Sequence, residues 1–366
     1  MQTVFRAETI GSLLRPSYLA EARRRHADGE ITAAELKRVE DRAVDSAIAL
    51  QEGAGLDVVT DGELRRQVFF DQFIRGLEGL SPHPGAPVHF HGEQPENDVD
   101  FQSPLCVTGR LRSTRMVTLE EFAYARARAR RPVKVTLPSP LLVFVLWSPE
   151  HSTAAYPDPF EMFADAVDIV RAEARALAEM GCEYIQIDAP ELLQVFADER
   201  SREHWRSLGI EPERVFTEGV DMVDAVADVP GVTFGLHLCK GNYQSRWIAS
   251  GGYEEFARQV FPRAKNYDLF LLEYDDERSG SFEPLAELPD DKVAVLGLVS
   301  TKRDTLEDAE EVRRRIAEAE RYTGLDRLAL STQCGFASDA SGNLISETMQ
   351  ERKLQLVADL ARRVWA

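Results

Sequence analysis

Residues 163–188 read FADAVDIVRAEARALAEMGCEYIQID, and this stretch joins a helical pattern to a strand pattern. The apolar residues that recur at the spacing of one helix face are Phe163, Val167, Val170, Ala174 and Leu177. The last part of the stretch, residues 183–188, is a short apolar run that is typical of a buried strand. A helix that leads directly into such a strand is the repeating unit of parallel α/β folds.

Seven further apolar or β-branched runs occur along the chain, most of them next to a helical pattern. The eight predicted strands are residues 4–10, 56–60, 133–137, 183–188, 232–238, 268–273, 293–299 and 327–330. Eight strand–helix units in 366 residues favour a (β/α)8 TIM barrel over an open doubly wound sheet. We therefore predict an α/β fold in which residues 1–366 form a single TIM-barrel catalytic domain.

The segment between the second and third predicted strands is too long for a simple crossover, so we expect an insertion at about residues 64–132. Its predicted contents are a helix at 68–77, a loop rich in Pro, Gly and His at 81–96, and a hairpin near 106–112. Two charged segments before it, residues 18–26 and 33–52, have helical patterns.

The overall charge excludes two classes of partner. Acidic residues outnumber basic residues by 62 to 43, which gives a formal net charge of −19. Because this charge repels nucleic acid phosphates and anionic lipids, we expect no nucleic acid and no membrane partner. No apolar run approaches the roughly 20 residues needed to cross a bilayer, and the first residues lack a signal-peptide pattern. We therefore expect a cytoplasmic protein.

Metal-ligand residue types follow three of the predicted strands. His237 and Cys239 end strand five, Glu273 ends strand six and Cys334 follows strand eight. In a TIM barrel the carboxyl ends of the strands build the active site, and zinc prefers thiolate and imidazole ligands. Side chains two residues apart on a strand point the same way, so the His-x-Cys pair can reach one ion. The alternative for that pair is a core cysteine beside a hydrogen-bonded histidine.

Carboxylates follow two other strands. Asp61 and Glu63 either cap a helix that starts near residue 64 or bind the ammonium group of a small zwitterionic substrate. Asp188 ends an apolar strand, and we expect a functional role for it. The remaining histidine pair, His89 and His91, lies in a Pro-rich polar stretch that we interpret as a solvated loop.

Several motifs occur in a fixed order along nearly the whole chain. They are Glu8-Thr9-Ile10-Gly11-Ser12, Gly55-Leu56-Asp57, Asp61-Gly62-Glu63, Ile185-Gln186-Ile187-Asp188, Gly235-Leu236-His237-Leu238-Cys239-Lys240-Gly241-Asn242, Glu273 and Cys334-Gly335. In this order they resemble the carboxyl-terminal catalytic barrel of the cobalamin-independent methionine synthases. The resemblance implies a Zn²⁺ cofactor held by His237, Cys239, Glu273 and Cys334. It also implies that homocysteine is bound by Ile10, Ser12, Glu63 and Asp188.

The sequence differs from that family in the segments expected to contact the methyl donor and the leaving group. It has no room for the amino-terminal barrel of the long enzymes, and so resembles their short single-barrel relatives. Residues 137–140 read LPSP in place of a Thr-Gly-Pro segment, and we expect Trp147 to face the donor, a core or loop position being the alternative. The family's proton-donating histidine after strand seven is replaced by VSTK at residues 299–302, which leaves Lys302 as the candidate. Ala189 stands where the long enzymes tend to have Glu.

The leading hypothesis is a zinc-dependent thiol alkyltransferase. It would move a methyl group from 5-methyltetrahydrofolate, or from a related donor, to a homocysteine-like thiol and form methionine. A free thiol is mostly protonated at neutral pH, whereas a thiol that coordinates zinc is deprotonated. The donor reaches such a site either free or on a separate donor protein.

Two alternatives belong to other reaction classes. One is thiol addition to an epoxide, as in the epoxyalkane:coenzyme M transferases, for which Arg15, Arg65 and Arg66 near the rim would clamp a sulfonate. The other is a non-catalytic barrel with a structural zinc ion, or a metal-free barrel related to uroporphyrinogen decarboxylase.

Overall fold

Seven parallel strands form one curled sheet in the computed structural model, which describes residues 4–365. The strands in chain order are β1 (Ala7–Glu8), β2 (Leu77–Ser81), β3 (Pro87–Phe90), β4 (Val99–Gln102), β5 (Cys106–Ser113), β6 (Lys134–Pro138), β7 (Tyr184–Asp188), β8 (Thr233–Leu238), β9 (Leu269–Glu273), β10 (Val293–Val299) and β11 (Leu328–Thr332). Seven of these strands form the curled parallel sheet, in the order β1-β11-β10-β9-β8-β7-β6. The strands β2 to β5 belong to two separate small sheets. Each strand from β6 onward therefore pairs with the next one along the chain, as the TIM-barrel prediction requires.

The gap between β1 and β6 is filled by the second predicted strand, residues 56–60. Asp57 donates its backbone N–H to Ala7 O at 3.0 Å, and Lys134 donates to Val59 O at 2.8 Å. Only an isolated bridge between Val59 and Val133 is formed, so this segment closes the barrel without being a regular strand. The predicted strand at 4–10 is likewise reduced to β1 within the described residues.

Helices cover the outside of the sheet. They are α1 (Ser17–Ala27), α2 (Ala33–Ala54), α3 (Asp71–Arg75), α4 (Val117–Arg126), α5 (Pro149–Ser152), α6 (Pro159–Glu179), α7 (Pro190–Ala197), α8 (Glu199–Ser207), α9 (Pro212–Arg214), α10 (Val220–Val226), α11 (Glu254–Val260), α12 (Ala309–Thr323) and α13 (Glu347–Val364). The apolar face predicted for residues 163–177 is buried along α6, whose first turn is capped by the Asp158 carboxylate. None of the helices that the structure describes is long and apolar enough to span a membrane.

The insertion between residues 64 and 132 differs from its prediction. It contains two small antiparallel sheets, in which β2 pairs with β5 and β3 pairs with β4. The predicted helix at 68–77 is only α3, the predicted loop at 81–96 contains β3, and β5 pairs with β2 instead of folding on itself. Short strands with mixed polarity give weak periodic signals, which is why the sequence did not reveal them.

A buried ion pair crosses the barrel interior. Lys134 Nζ on β6 lies 2.5 Å from Glu8 Oε2 on β1 and donates to Thr9 O and Gln186 Oε1, both at 2.7 Å. Tyr184 donates its hydroxyl to the same Glu8 carboxylate at 3.2 Å. Since both charged side chains are completely buried, each depends on the other for compensation.

We predict that Lys134→Met destabilises the protein by about 3–5 kcal/mol, because the substitution leaves the Glu8 carboxylate buried without its cation. Urea unfolding followed by circular dichroism measures this change. The control is Arg24→Ala on α1, which breaks exposed ion pairs with Glu21 and Asp28 and is expected to leave the unfolding midpoint unchanged. Equal midpoints for the Lys134 variant and wild type would contradict the role assigned to this pair.

Candidate active site

Three side chains of metal-ligand type meet at the carboxyl end of the barrel. The ligand atoms of His237, Cys239 and Cys334 all lie within 4.8 Å of one another, and the three residues are buried. His237 Nδ1 lies 3.2 Å from Leu271 O, and because a carbonyl only accepts, this nitrogen carries the proton. Nε2 is then the free ligand atom, and it has no hydrogen-bond partner among residues 4–365. A buried, unpartnered ring nitrogen beside two thiols fits a zinc-type ion.

The two thiols of this cluster are not equivalent. The interaction between the two neighbouring sulfur groups lowers the pKa of Cys334 well below its ordinary value and raises the pKa of Cys239 well above it. The pair thus already favours one thiolate, the form in which cysteine binds metal.

Glu273, the predicted fourth ligand, lies beside the cluster but is not part of it. Its Oε1 accepts from Lys302 Nζ at 3.0 Å, and its Oε2 accepts from the backbone N–H of Lys240 at 2.8 Å. Burial opposes ionisation of this carboxyl, yet the positive charges of Lys302 and Lys240 outweigh it and lower the pKa of Glu273 to about 2. In this structure the two lysines hold the Glu273 carboxylate, and its role as the fourth ligand stays a prediction.

The ion pair with Glu273 also fixes the position of the Lys302 side chain. Its ammonium group is engaged by Glu273, and Lys302 lines a polar groove with Arg278 and Asp276 instead of the cavity that contains the cluster. It is therefore placed to position Glu273 and not to reach a donor in the cavity.

A cavity of about 100 Å³ opens next to the metal-ligand cluster. All four residues expected to bind homocysteine, Ile10, Ser12, Glu63 and Asp188, line it together with His237, Cys239 and Cys334. These residues follow different strands of the barrel. The fold therefore brings together side chains that are more than 300 positions apart in the sequence.

Trp147 does not line this cavity. It is buried in the hydrophobic core, where its indole N–H donates to Leu208 O at 2.9 Å. The expectation that Trp147 faces the methyl donor is therefore corrected, and the core alternative is the one observed.

Two carboxylates in the cavity are poised to accept hydrogen bonds. Burial raises the pKa of Glu63 and raises that of Asp188 to about 7. Thr136 donates to Glu63 Oε1 at 2.7 Å, while Glu63 Oε2 is buried with no partner in the described part of the chain. Glu63 also has a φ of 54°, a left-handed conformation that costs energy for a residue with a side chain and that is concentrated at functional sites. Asp61 accepts from the Glu63 backbone N–H at 2.8 Å within a turn. No helix starts near residue 64 in the described part of the chain, so the helix-capping alternative for Asp61 and Glu63 is wrong.

Sequence reasoning missed a third cavity carboxylate, Glu191 on α7. It is completely buried, neither of its oxygens has a hydrogen-bond partner within residues 4–365, and burial raises its pKa to about 8. The signal was the Asp188-Ala189-Pro190-Glu191 segment, in which the carboxylate comes two residues after the Ala that replaces the family's Glu.

The opposite side of the cavity is apolar. Its apolar lining residues are Phe69, Phe70, Val88, Phe90, Phe101, Leu142, Phe144, Val145 and Ile248. Most belong to the insertion or to the turn after β6, where no sequence motif marked them. The cavity thus has carboxylates and the metal-ligand cluster on one part of its lining, and an apolar wall that excludes water on the other part.

The three rim arginines are all held by other protein groups, and Arg66 also lies 3.5 Å from Oε1 of Glu63. Arg15 donates to four backbone carbonyls, including those of Leu13 and Glu63. Arg66 binds the Glu121 carboxylate, and Arg65 binds Asp41. None of these arginines lines the cavity, so the sulfonate clamp that an epoxyalkane:coenzyme M transferase needs is not formed by them.

Comparison with known proteins agrees with this geometry. The family model described as the catalytic domain of cobalamin-independent synthase matches residues 5–353. The chain belongs to the cobalamin-independent methionine synthase family. This family's reaction is methyl transfer to homocysteine.

Individual relatives match nearly the whole of this chain. The uncharacterized protein YxjH of Bacillus subtilis is 39% identical over 368 residues, which cover 99% of this chain and 95% of YxjH. The 5-methyltetrahydropteroyltriglutamate–homocysteine methyltransferase of Trichodesmium erythraeum is 24% identical, with 90% of this chain matched to 41% of that protein. The solved B12-independent methionine synthase of Shewanella has the same fold, with a TM-score of 0.77 at 22% identity and coverage of 99% of this chain and 98% of that one.

We predict that Glu191→Gln makes the stability of the protein less dependent on pH. In the unfolded chain Glu191 ionises near pH 4.5, but in the folded protein it stays protonated up to about pH 8. Between pH 5 and pH 8 this carboxyl group is therefore ionised in the unfolded state but not in the folded state. As pH rises over this range, the free energy of unfolding of the wild type falls by at most about 1.4 kcal/mol per pH unit because of this group. Glutamine cannot ionise, so urea unfolding at pH 5 and pH 8 is expected to show a smaller loss for the variant.

The matched control is Glu150→Gln, whose side chain is 84% exposed. This control is expected to keep the wild-type pH dependence. A Glu191 variant with the same pH dependence as wild type would show that the carboxyl is not held neutral in the cavity.

Proposed function

We propose that the protein is a zinc-dependent methyltransferase that transfers a methyl group from 5-methyltetrahydrofolate, or from a related donor, to the thiol of homocysteine and forms methionine. The observation that carries this proposal is the buried cluster of His237, Cys239 and Cys334 beside a cavity that also contains Glu63 and Asp188. Membership of the methionine synthase family supports methyl transfer to homocysteine in general.

The three cluster residues would hold the zinc ion. Zinc bound there supplies a positive charge that favours the deprotonated form of a thiol and so makes it a nucleophile. Three protein donors are typical of catalytic zinc sites, whereas structural sites are closed by four. The pairing of Glu273 with Lys302 thus supports a catalytic site over the structural-zinc alternative.

The carboxylates that line the cavity would bind the amino group of homocysteine. Glu63 Oε2 is a buried acceptor without a partner in the part of the chain that the structure describes, and Asp188 accepts only from Gln186 Nε2 at 2.6 Å. An ammonium group satisfies such acceptors and favours their ionised forms. The apolar wall would hold the donor and keep water away from the reacting sulfur.

Methyl transfer from a nitrogen leaves that nitrogen in need of a proton. The S–CH₃ bond forms as the N–CH₃ bond breaks, and the departing nitrogen keeps the electron pair and takes up H⁺. Glu191 is the side chain we assign to this step, because it lines the cavity and burial keeps it protonated at neutral pH. Lys302 is less suited, because Glu273 already holds its ammonium group.

We predict that Cys239→Ser abolishes metal binding at the cluster and, with it, methionine formation. The loss is expected because serine does not replace a thiolate as a zinc ligand at neutral pH. Thiolate coordination is measured from the sulfur-to-metal charge-transfer absorption of the cobalt-substituted protein, and methionine is measured by mass spectrometry after incubation with homocysteine and 5-methyltetrahydrofolate.

Cys182→Ser is the matched control, because Cys182 is also a buried thiol but lies outside the cavity and donates to Tyr184 O. This variant is expected to keep both properties. Full methionine formation by the Cys239 variant would refute the zinc-dependent mechanism, and wild-type protein that retains zinc but methylates no thiol would refute the transferase assignment.

We predict that Glu63→Gln weakens homocysteine binding roughly 10- to 100-fold, because an amide carries no charge to pair with the substrate ammonium. Isothermal titration calorimetry of the zinc-loaded protein measures the change in Kd. With 3-mercaptopropionate, a thiol that lacks the amino group, the same substitution is expected to have little effect. An equal loss of affinity for both thiols would argue against an ammonium site at Glu63.

A further inference from the structure

Two histidines and an aspartate lie together on the β3–β4 hairpin, outside the cavity. His89 is on β3, His91 follows that strand, and Asp98 directly precedes β4. The ligand atoms of these three residues lie within 4.8 Å of one another. The sequence interpretation as a solvated loop is corrected here, because the hairpin pairs the two strands and places His89 opposite Asp100.

The Asp98 carboxylate is fixed between the two imidazoles. Its Oδ2 lies 3.1 Å from His89 Nε2 and 3.3 Å from His91 Nδ1. Its Oδ1 accepts from the Gly92 backbone N–H at 2.8 Å, which orients the carboxylate. One carboxylate oxygen therefore lies within 3.3 Å of a ring nitrogen of each histidine.

The outer nitrogen of His89 has the partner expected behind a metal ligand. His89 Nδ1 lies 2.7 Å from Asp100 Oδ1 across the hairpin. Histidines that bind metals usually donate their second ring N–H to a carboxylate, which fixes the tautomer and strengthens the ligand. Asp100 therefore orients the ring so that Nε2 of His89 faces Asp98, where an ion would take the place of the proton between them.

We propose that His89, His91 and Asp98 form a second metal site that binds a divalent transition ion of the zinc, cobalt or nickel type. Two imidazoles and one carboxylate suit these ions, whereas calcium and magnesium prefer oxygen ligands alone. The His89 side chain is 50% exposed, so an ion can enter from solvent. This site is separate from the thiol cluster and does not depend on the proposed methyl transfer.

The position of the hairpin gives this site a structural consequence. Val88 and Phe90, which alternate with His89 along β3, line the cavity from the opposite face of the strand. His91 also pairs through its backbone with Trp247 in the loop after β8. An ion shared by the two arms of the hairpin would brace the apolar wall of the cavity.

The test is a Co²⁺ titration of the metal-free protein, followed by absorption spectroscopy. We expect two equivalents to bind, of which only one produces sulfur-to-cobalt charge-transfer absorption. The second is expected to show only the weaker ligand-field bands of a nitrogen and oxygen site. Absence of any bound equivalent that lacks sulfur-to-cobalt absorption would overturn the proposal, whether or not the thiol cluster binds cobalt.

Variants then assign the second equivalent. His91→Asn and Asp98→Asn are each expected to weaken it at least 10-fold while leaving the sulfur-to-cobalt absorption unchanged. The matched control is His151→Asn, because His151 and His83 form a second pair of neighbouring imidazoles, with ring centroids 4.3 Å apart. Retention of the second equivalent by both hairpin variants, or its loss in the control, would overturn the assignment.

Amide hydrogen exchange tests the bracing separately. Two equivalents of Co²⁺ are expected to slow exchange over residues 87–102 in wild type but not in Asp98→Asn. Unchanged exchange in wild type with both equivalents bound would overturn the bracing of the cavity wall.

Discussion

The register of the parallel barrel strands is the constraint on which the site depends. Asp188 at the end of β7 lies opposite His237 on β8, and Glu273 at the end of β9 lies opposite Gly297 on β10. A shift of one residue would turn these side chains to the other face of the sheet. The buried pair between Glu8 and Lys134 links β1 to β6 across the barrel, and so helps to keep this register.

Charge is separated within the site. Lys240 and Lys302 lie behind the cluster and hold Glu273, whereas Glu63, Asp188 and other carboxyl groups line the cavity in front. Burial makes each unpaired carboxyl costly to ionise, so this side of the cavity favours a ligand that brings a positive charge. The zinc ion proposed at the cluster would favour a ligand with a soft donor atom. A small amino acid that carries a thiol satisfies both requirements.

The sequence predicted the barrel and the ligand cluster because these rest on local signals, namely short apolar runs and the His237-x-Cys239 pair. It did not predict contacts that depend on distant side chains. The ion pair between Glu273 and Lys302 and the core position of Trp147 both depend on how separate segments of the chain pack. The β3–β4 hairpin was missed because each strand has only four residues, and the Pro, Gly and His residues around β3 are typical of a loop.

The most direct test of the central claim is zinc X-ray absorption of the protein loaded with one equivalent of zinc. The account predicts two sulfur neighbours at about 2.3 Å and an imidazole nitrogen at about 2.0–2.1 Å, the shell that Cys239, Cys334 and His237 would supply. A shell of nitrogen and oxygen alone would contradict it.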